Sequence, residues 1–110
     1  MAQTYKVLGQ ANPLAATLTA LYTVPASTSV VTSSISVCNT AATSATFRVR
    51  IAPAGAADAL VHALYQDVTI AGNDTFVATI GATLAATDVI RVQGSTANLV
   101  FHAYGLELTP

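Results

Sequence analysis

Charge is what this sequence has least of. Four Lys plus Arg and five Asp plus Glu stand among 110 residues, a charged share of 8% and a formal net charge of -1, against roughly 25% in ordinary soluble domains. Neutralising phosphates takes a clustered basic patch, so nucleic acid is excluded as an expected partner. Tryptophan is absent and aromatics make up 6%, a thin supply for a carbohydrate- or receptor-binding surface, which leans on exposed rings. The single cysteine, Cys38, has no partner for an internal disulfide, so packing, hydrogen bonds or association must hold the fold. Long apolar runs are missing too. Thr and Ser interrupt each one before the roughly 18 residues of a spanning helix, and short strands without aromatic girdles argue against an outer-membrane barrel. No membrane partner is expected. Met1 to Lys6 lacks the charged and apolar regions of a secretory signal, so the product is expected to stay in the cytosol in which it is made.

What the sequence has is β-branched residues in alternating runs. Phe47, Val49 and Ile51 share one face of a strand over Ala45–Ile51, with Thr46, Arg48 and Arg50 on the other. Val31, Ser33, Ile35 and Val37 alternate with a hydroxyl-rich set ending at Cys38, and Asn39 to Ser44 reads as a hairpin loop. A second hairpin is expected from about Asp67 to Ile80, turning at Ala71-Gly72-Asn73-Asp74, with Phe76, Ala78 and Ile80 on one face. Ile90 and Val92 mark a short strand. Tyr5–Leu8 and Leu18–Val24 read as two more, the second stopped by Pro25. Ala57, Leu60, Val61 and Leu64 also fit a helical stripe, but the turn at Pro53–Gly55 and the β-rich Val68-Thr69-Ile70 favour a strand there. In the last run, Leu99, Phe101 and Ala103 oppose Val100, His102, Tyr104 and Leu106. A strand apolar on both sides is expected to be covered on both sides.

About eight short strands with turns every 8–12 residues make an all-β, antiparallel β-sandwich, jelly-roll-like with an immunoglobulin-like alternative. One domain is expected over residues 1–110, with residues 1–4 as a short N-terminal arm.

Sites of chemistry are sparse. His62 and His102, with Asp58, Asp67, Asp74, Asp88 and Glu107, show none of the spacings of a metal or acid–base site. Cys38 lies in a period-two strand with no helix N-terminus or Gly-rich elbow to activate it. Gly55, Gly72, Gly81 and Gly94 stand singly and make no phosphate loop. Asn73-Asp74-Thr75 matches a glycosylation sequon but reads better as a turn. No catalytic residue, metal or cofactor is expected. Arg48 and Arg50 project two residues apart and are candidates to clamp a partner's carboxylate, or else line a solvated strand face.

The outward faces carry Thr, Ser and Ala where a soluble sandwich would carry Lys and Glu. Such small side chains lose little entropy when covered by another protein. A homo-oligomer follows as the expectation, with Val100, His102, Tyr104 and Leu106 as the candidate subunit interface.

The run Thr19-Ala20-Leu21-Tyr22-Thr23-Val24-Pro25-Ala26, then Val31 to Ser36, then Val37-Cys38-Asn39-Thr40, resembles a group of small Ala/Thr-rich virion structural proteins of tailed bacteriophages. The strand Phe47 to Ile51, the turn Asn73 to Thr75 and the closing Gly105-Leu106-Glu107 extend the likeness across residues 5 to 109. The resemblance implies a jelly-roll-like or immunoglobulin-like sandwich serving as a virion part, assembled in the bacterial host cytoplasm. It implies a capsid decoration or cement protein, often trimeric, with the major capsid protein or other virion proteins as partners. A neck, tail or baseplate accessory is the alternative, and a receptor- or carbohydrate-binding sandwich on the virion surface the second. The group supplies no catalytic residues to carry over.

Overall fold

β-branched and aromatic side chains favour the pleated backbone, and in a computed structural model the described residues, 2–110, are folded into eight strands: β1 (Ala2–Ala11), β2 (Thr19–Thr23), β3 (Ser29–Asn39), β4 (Ala45–Ala52), β5 (Ala63–Ile70), β6 (Thr75–Leu84), β7 (Val89–Gly94) and β8 (Leu99–Thr109). They form two four-stranded antiparallel sheets. Sheet A has the order β1-β8-β3-β6 and sheet B the order β2-β7-β4-β5. The pairings nest: β4 with β5, β3 with β6, β2 with β7, β1 with β8. The chain is thus one long hairpin bent at the β4–β5 connection and rolled, so that β3 also meets β8 and β4 meets β7. This is the jelly-roll order, not the immunoglobulin one.

Both expected hairpins prove to be arches. β3 lies in sheet A and β4 in sheet B, while β5 lies in sheet B and β6 in sheet A, so the Asn39–Ser44 and Ala71–Asp74 links each cross between sheets. Asn39 makes the crossing possible. Its buried amide donates to the carbonyls of Thr43 (2.8 Å) and Ala71 (3.2 Å), and its Oδ1 accepts from the Ala41 N–H (3.1 Å). The two arches also touch directly: the Asn73 N–H donates to the Ala41 carbonyl. A methyl at Gly72 would collide with the Ala42 carbonyl.

Three further expectations are corrected. Ala2–Thr4, expected as an arm, begins β1 and pairs with Glu107–Thr109; Met1 lies outside the described residues. Of Ala57–Leu64, only Ala63 and Leu64 are strand, at the start of β5: a 3-10 turn at Leu60–His62 precedes it, and Leu60 and Val61 are exposed, leaving no apolar face to drive pairing. In β3 a bulge between Thr32 and Ser34 reverses the alternation, so Val30 and Thr32 point inward with Ile35 and Val37 while Val31 points outward.

The core lies between the sheets around Phe47 and Phe101, whose ring centroids are 6.2 Å apart, with Ile35, Ile90, Leu99 and Val92 fully buried beside them. On the β1/β2 side the sheets close together, and a side chain at Gly9 would run into the Leu21 carbonyl. On the β5/β6 side the gap is plugged by Tyr65 and Phe76, 5.5 Å apart and edge to face.

Candidate interaction face

The two outer faces of the sandwich differ in chemistry. Arg48 and Arg50 on β4 and Arg91 on β7 all project from sheet B, and Arg50 sits directly opposite Arg91. Like charges so placed repel, and the chain supplies its own countercharges. Asp58 holds the Arg50 guanidinium at 2.8 Å, with the Gln66 amide oxygen at 3.0 Å. Arg91 donates to the carbonyls of Ala56 and Gly55. Segment 53–62 is thereby tied down over sheet B. Arg48 pairs through two nitrogens with Asp67, at 2.7 and 3.2 Å. That hydrogen bond raises the Arg48 pKa and lowers that of Asp67 from their ordinary values.

Arg48 and Arg50, the candidate partner-facing charges, are thus both engaged within the chain. The carboxylates they hold belong to their own chain, and Arg50 is only 6% exposed.

Sheet A is treated otherwise. From the registers, its outward positions are Tyr5, Val7 and Gln10 on β1, Val100, His102, Tyr104 and Leu106 on β8, Val31, Ser34, Ser36 and Cys38 on β3, and Thr75, Val77 and Thr79 on β6. Among the described residues no Asp, Glu, Lys or Arg falls on these outward positions. Lys6 and Glu107 have the opposite parity and pair with each other at 3.4 Å. Glu107 also accepts from the Tyr22 hydroxyl, whose pKa is raised by burial first and by that carboxylate second.

The four residues expected at a subunit interface therefore share one face. Val100, His102 and Tyr104 are half-buried by their neighbours, as is Leu106, so this side of β8 is not covered within the chain as its core side is. Its polar groups are spent on one another. The His102 ring stacks on Tyr104 with centroids 6.1 Å apart, and its Nδ1 lies 3.2 Å from the Gln10 amide nitrogen. Ser33 donates to the Tyr104 carbonyl, and Ser36 lies 3.4 Å from the Tyr104 hydroxyl. Beside them a shallow hollow of about 400 Å³ is lined by Tyr5, Lys6, Val31, Ser33, Tyr104, Gly105 and Leu106.

Tyr5 and Val31 were not among the residues singled out from sequence. The β3 bulge hid Val31, whereas Tyr5, 81% exposed, is an aromatic whose alternation with Lys6 was legible. With strands of up to 11 residues, four abreast, the face measures about 700 Å² from standard strand spacings, close to the ~800 Å² per partner of a standard protein interface.

The histidines lie apart, His62 in the turn before β5 and His102 on sheet A. Among the described residues no group of three or more His, Cys, Asp or Glu gathers where it could hold a metal. Cys38 is half-buried on the sheet A face between Thr75 and Val100, and Asn73 and Asp74 form the turn before β6, Asp74 accepting from the Thr75 N–H at 2.8 Å. No protein-family model matches the chain, and no curated protein matches it.

Proposed function

We propose that this chain is a structural subunit of a bacteriophage virion, a capsid decoration or cement protein that self-associates and stabilises the head by bridging capsid subunits. The observation that supports this reading most is the uncharged outer face of sheet A on a sandwich whose scarce charges are used up elsewhere. A free soluble sandwich gains hydration from charged outward positions and avoids large apolar patches. This one places Tyr5, Val7, Val31, Tyr104, Leu106 and Val77 outward on one sheet. Part of its polar complement is already matched within the chain, the Ser36 hydroxyl with that of Tyr104 and the Gln10 amide with His102 Nδ1, which lowers the cost of desolvating it. Several modest contacts made at once supply the avidity a cement needs. The virion assignment itself comes from the resemblance across residues 5 to 109, and the jelly-roll order agrees with it.

An antibody raised against the purified chain, applied to particles encoded with this sequence and viewed by electron microscopy, tests the reading. Label over the head is expected. Label at the neck or tail would move the protein to an accessory of that structure, and the absence of label from intact and opened particles would overturn the virion assignment.

A further inference from the structure

The four sheet edges are not equally protected. Edge strands invite pairing with other chains unless blunted by charge, proline, bulges or shortness. β1 carries Lys6 and a register break between Val7 and Gly9. β2 has only 5 residues. β5 carries Asp67 in a left-handed conformation, φ 52°, and two register breaks against β4. β6 has none of these over Thr75-Phe76-Val77-Ala78-Thr79, no charge, no proline, no glycine and an unbroken register with β3; its register break and the left-handed Gly81, φ 57°, come after Thr79. High β-propensity without charge is the composition that adds strand to strand.

The same edge borders the less closed side of the sandwich. Phe76 and Ile80 are only partly buried and pack on the core from its rim, and Tyr65 reaches across from sheet B to Phe76. A strand laid along β6 would complete the cover over both.

We propose that β6 pairs antiparallel with β6 of a second copy about a two-fold axis, joining the two A sheets into one; this rests on the assembly reading above and names one of its contacts. The occupant is argued from the strand itself. An acidic or basic partner gains nothing from an uncharged edge, whereas self-pairing brings no like charges together. A two-fold axis normal to the sheet keeps outer face with outer face only in registers centred on a residue. Centring on Ala78 sets Phe76 opposite Ile80 and Val77 opposite Thr79, aromatic against β-branched and β-branched against β-branched, which are favourable cross-strand pairs. It also keeps Asp74 outside the paired run. The joined sheet presents a doubled uncharged face, continuous across the axis.

Val77 and Thr79 are exposed, so substitutions there leave the core intact. In a Cys38→Ser background, Val77→Cys, Thr79→Cys and the double variant are oxidised and their masses measured. Residues opposed across paired strands lie within disulfide reach, whereas sheets stacked face to face are about 10 Å apart and out of reach. A covalent dimer from at least one variant is expected, together with slow hydrogen exchange in β6 of the wild type that speeds on dilution. Thr79→Lys should lower the assembled mass. If no variant cross-links, β6 exchanges at a concentration-independent rate and Thr79→Lys keeps the wild-type mass, the β6 pairing is overturned while a self-associating subunit stands. A three-copy mass likewise overturns the two-fold contact alone. A wild type that stays at 11.2 kDa overturns both.

Discussion

Replacing Asn39 by alanine removes three hydrogen bonds that join the two arches at one end of the roll: those to the Thr43 and Ala71 carbonyls and that from the Ala41 N–H. Each such bond contributes about 1 kcal/mol net, and a backbone group left buried without a partner costs 1–3 kcal/mol. Thr43 and Ala71 lie at the exposed surface of the arches, where water can take over part of the loss. The lower end of the range therefore applies, and Asn39→Ala should cost about 3 kcal/mol. That is a large share of the roughly 5–15 kcal/mol of a typical domain, and near 4 °C per kcal/mol it lowers Tm by about 12 °C.

Asn39→Asp sharpens the test. It keeps the acceptor for Ala41 but turns a carboxylate oxygen toward two carbonyls, so at pH 7 it should cost at least as much as alanine. Burial raises that carboxyl's pKa above its value in the unfolded chain. The aspartate variant therefore regains stability relative to alanine as pH falls, the reverse of an ion-paired acid. Urea melts followed by circular dichroism at one fixed protomer concentration, at pH 7 and near pH 4, read both effects. An alanine variant within about 1 kcal/mol of wild type, or an aspartate variant that weakens further in acid relative to alanine, would refute the account of how the arches are held.

Two further perturbations test the buried and charged contacts. The Tyr22 phenol has its pKa raised above the ordinary 10.0, so the fold favours the neutral form. That contribution is full below pH 10 and is lost above it, by up to ~1.4 kcal/mol per pH unit as the unfolded chain ionises first. Tyr22→Phe should remove this excess alkaline slope and cost about 1.5 kcal/mol at pH 7 through the lost bond to Glu107, both measurable from urea midpoints between pH 8 and 11. Asp58→Asn should leave Arg50 facing Arg91 without its countercharge. Asp58 is 44% exposed, so the expected cost is about 1–2 kcal/mol, below the range for a fully buried pair, with faster hydrogen exchange confined to segment 53–62.

The legible part of this fold was the alternation within strands. Phe47 and Val49 point inward, as do Phe76, Ala78, Ile80, Ile90, Val92, Leu99 and Phe101, because a period of two puts them on one side of a pleat wherever the backbone is regular. Where a bulge adds a residue, at Ser33, the pattern inverts and Val31 changes sides. Sheet membership was not legible. An arch and a hairpin have the same length and the same turn residues, and the deciding interaction is a buried amide bridging two links, Asn39 to Ala71 across 32 positions. The face of β8 was readable as four outward residues. Its neighbours on β1, β3 and β6 required strand order, which no local pattern carries. The arginines' partners within the chain were hidden for a related reason: Asp58, which holds Arg50, lies in a segment whose apolar residues suggested a strand, and Asp67, which holds Arg48, faces it only once β4 and β5 are paired.

The central claim is that this chain works as one of several copies, its uncharged sheet covered. Light scattering on the chromatographed wild type at rising concentration tests it most directly, beside Tyr104→Asp and in low and high salt. The account predicts a mass that is a multiple of 11.2 kDa, unchanged at high ionic strength because few charges are there to be screened, and lowered by Tyr104→Asp. A wild type that remains a clean 11.2 kDa species at the highest concentration contradicts it.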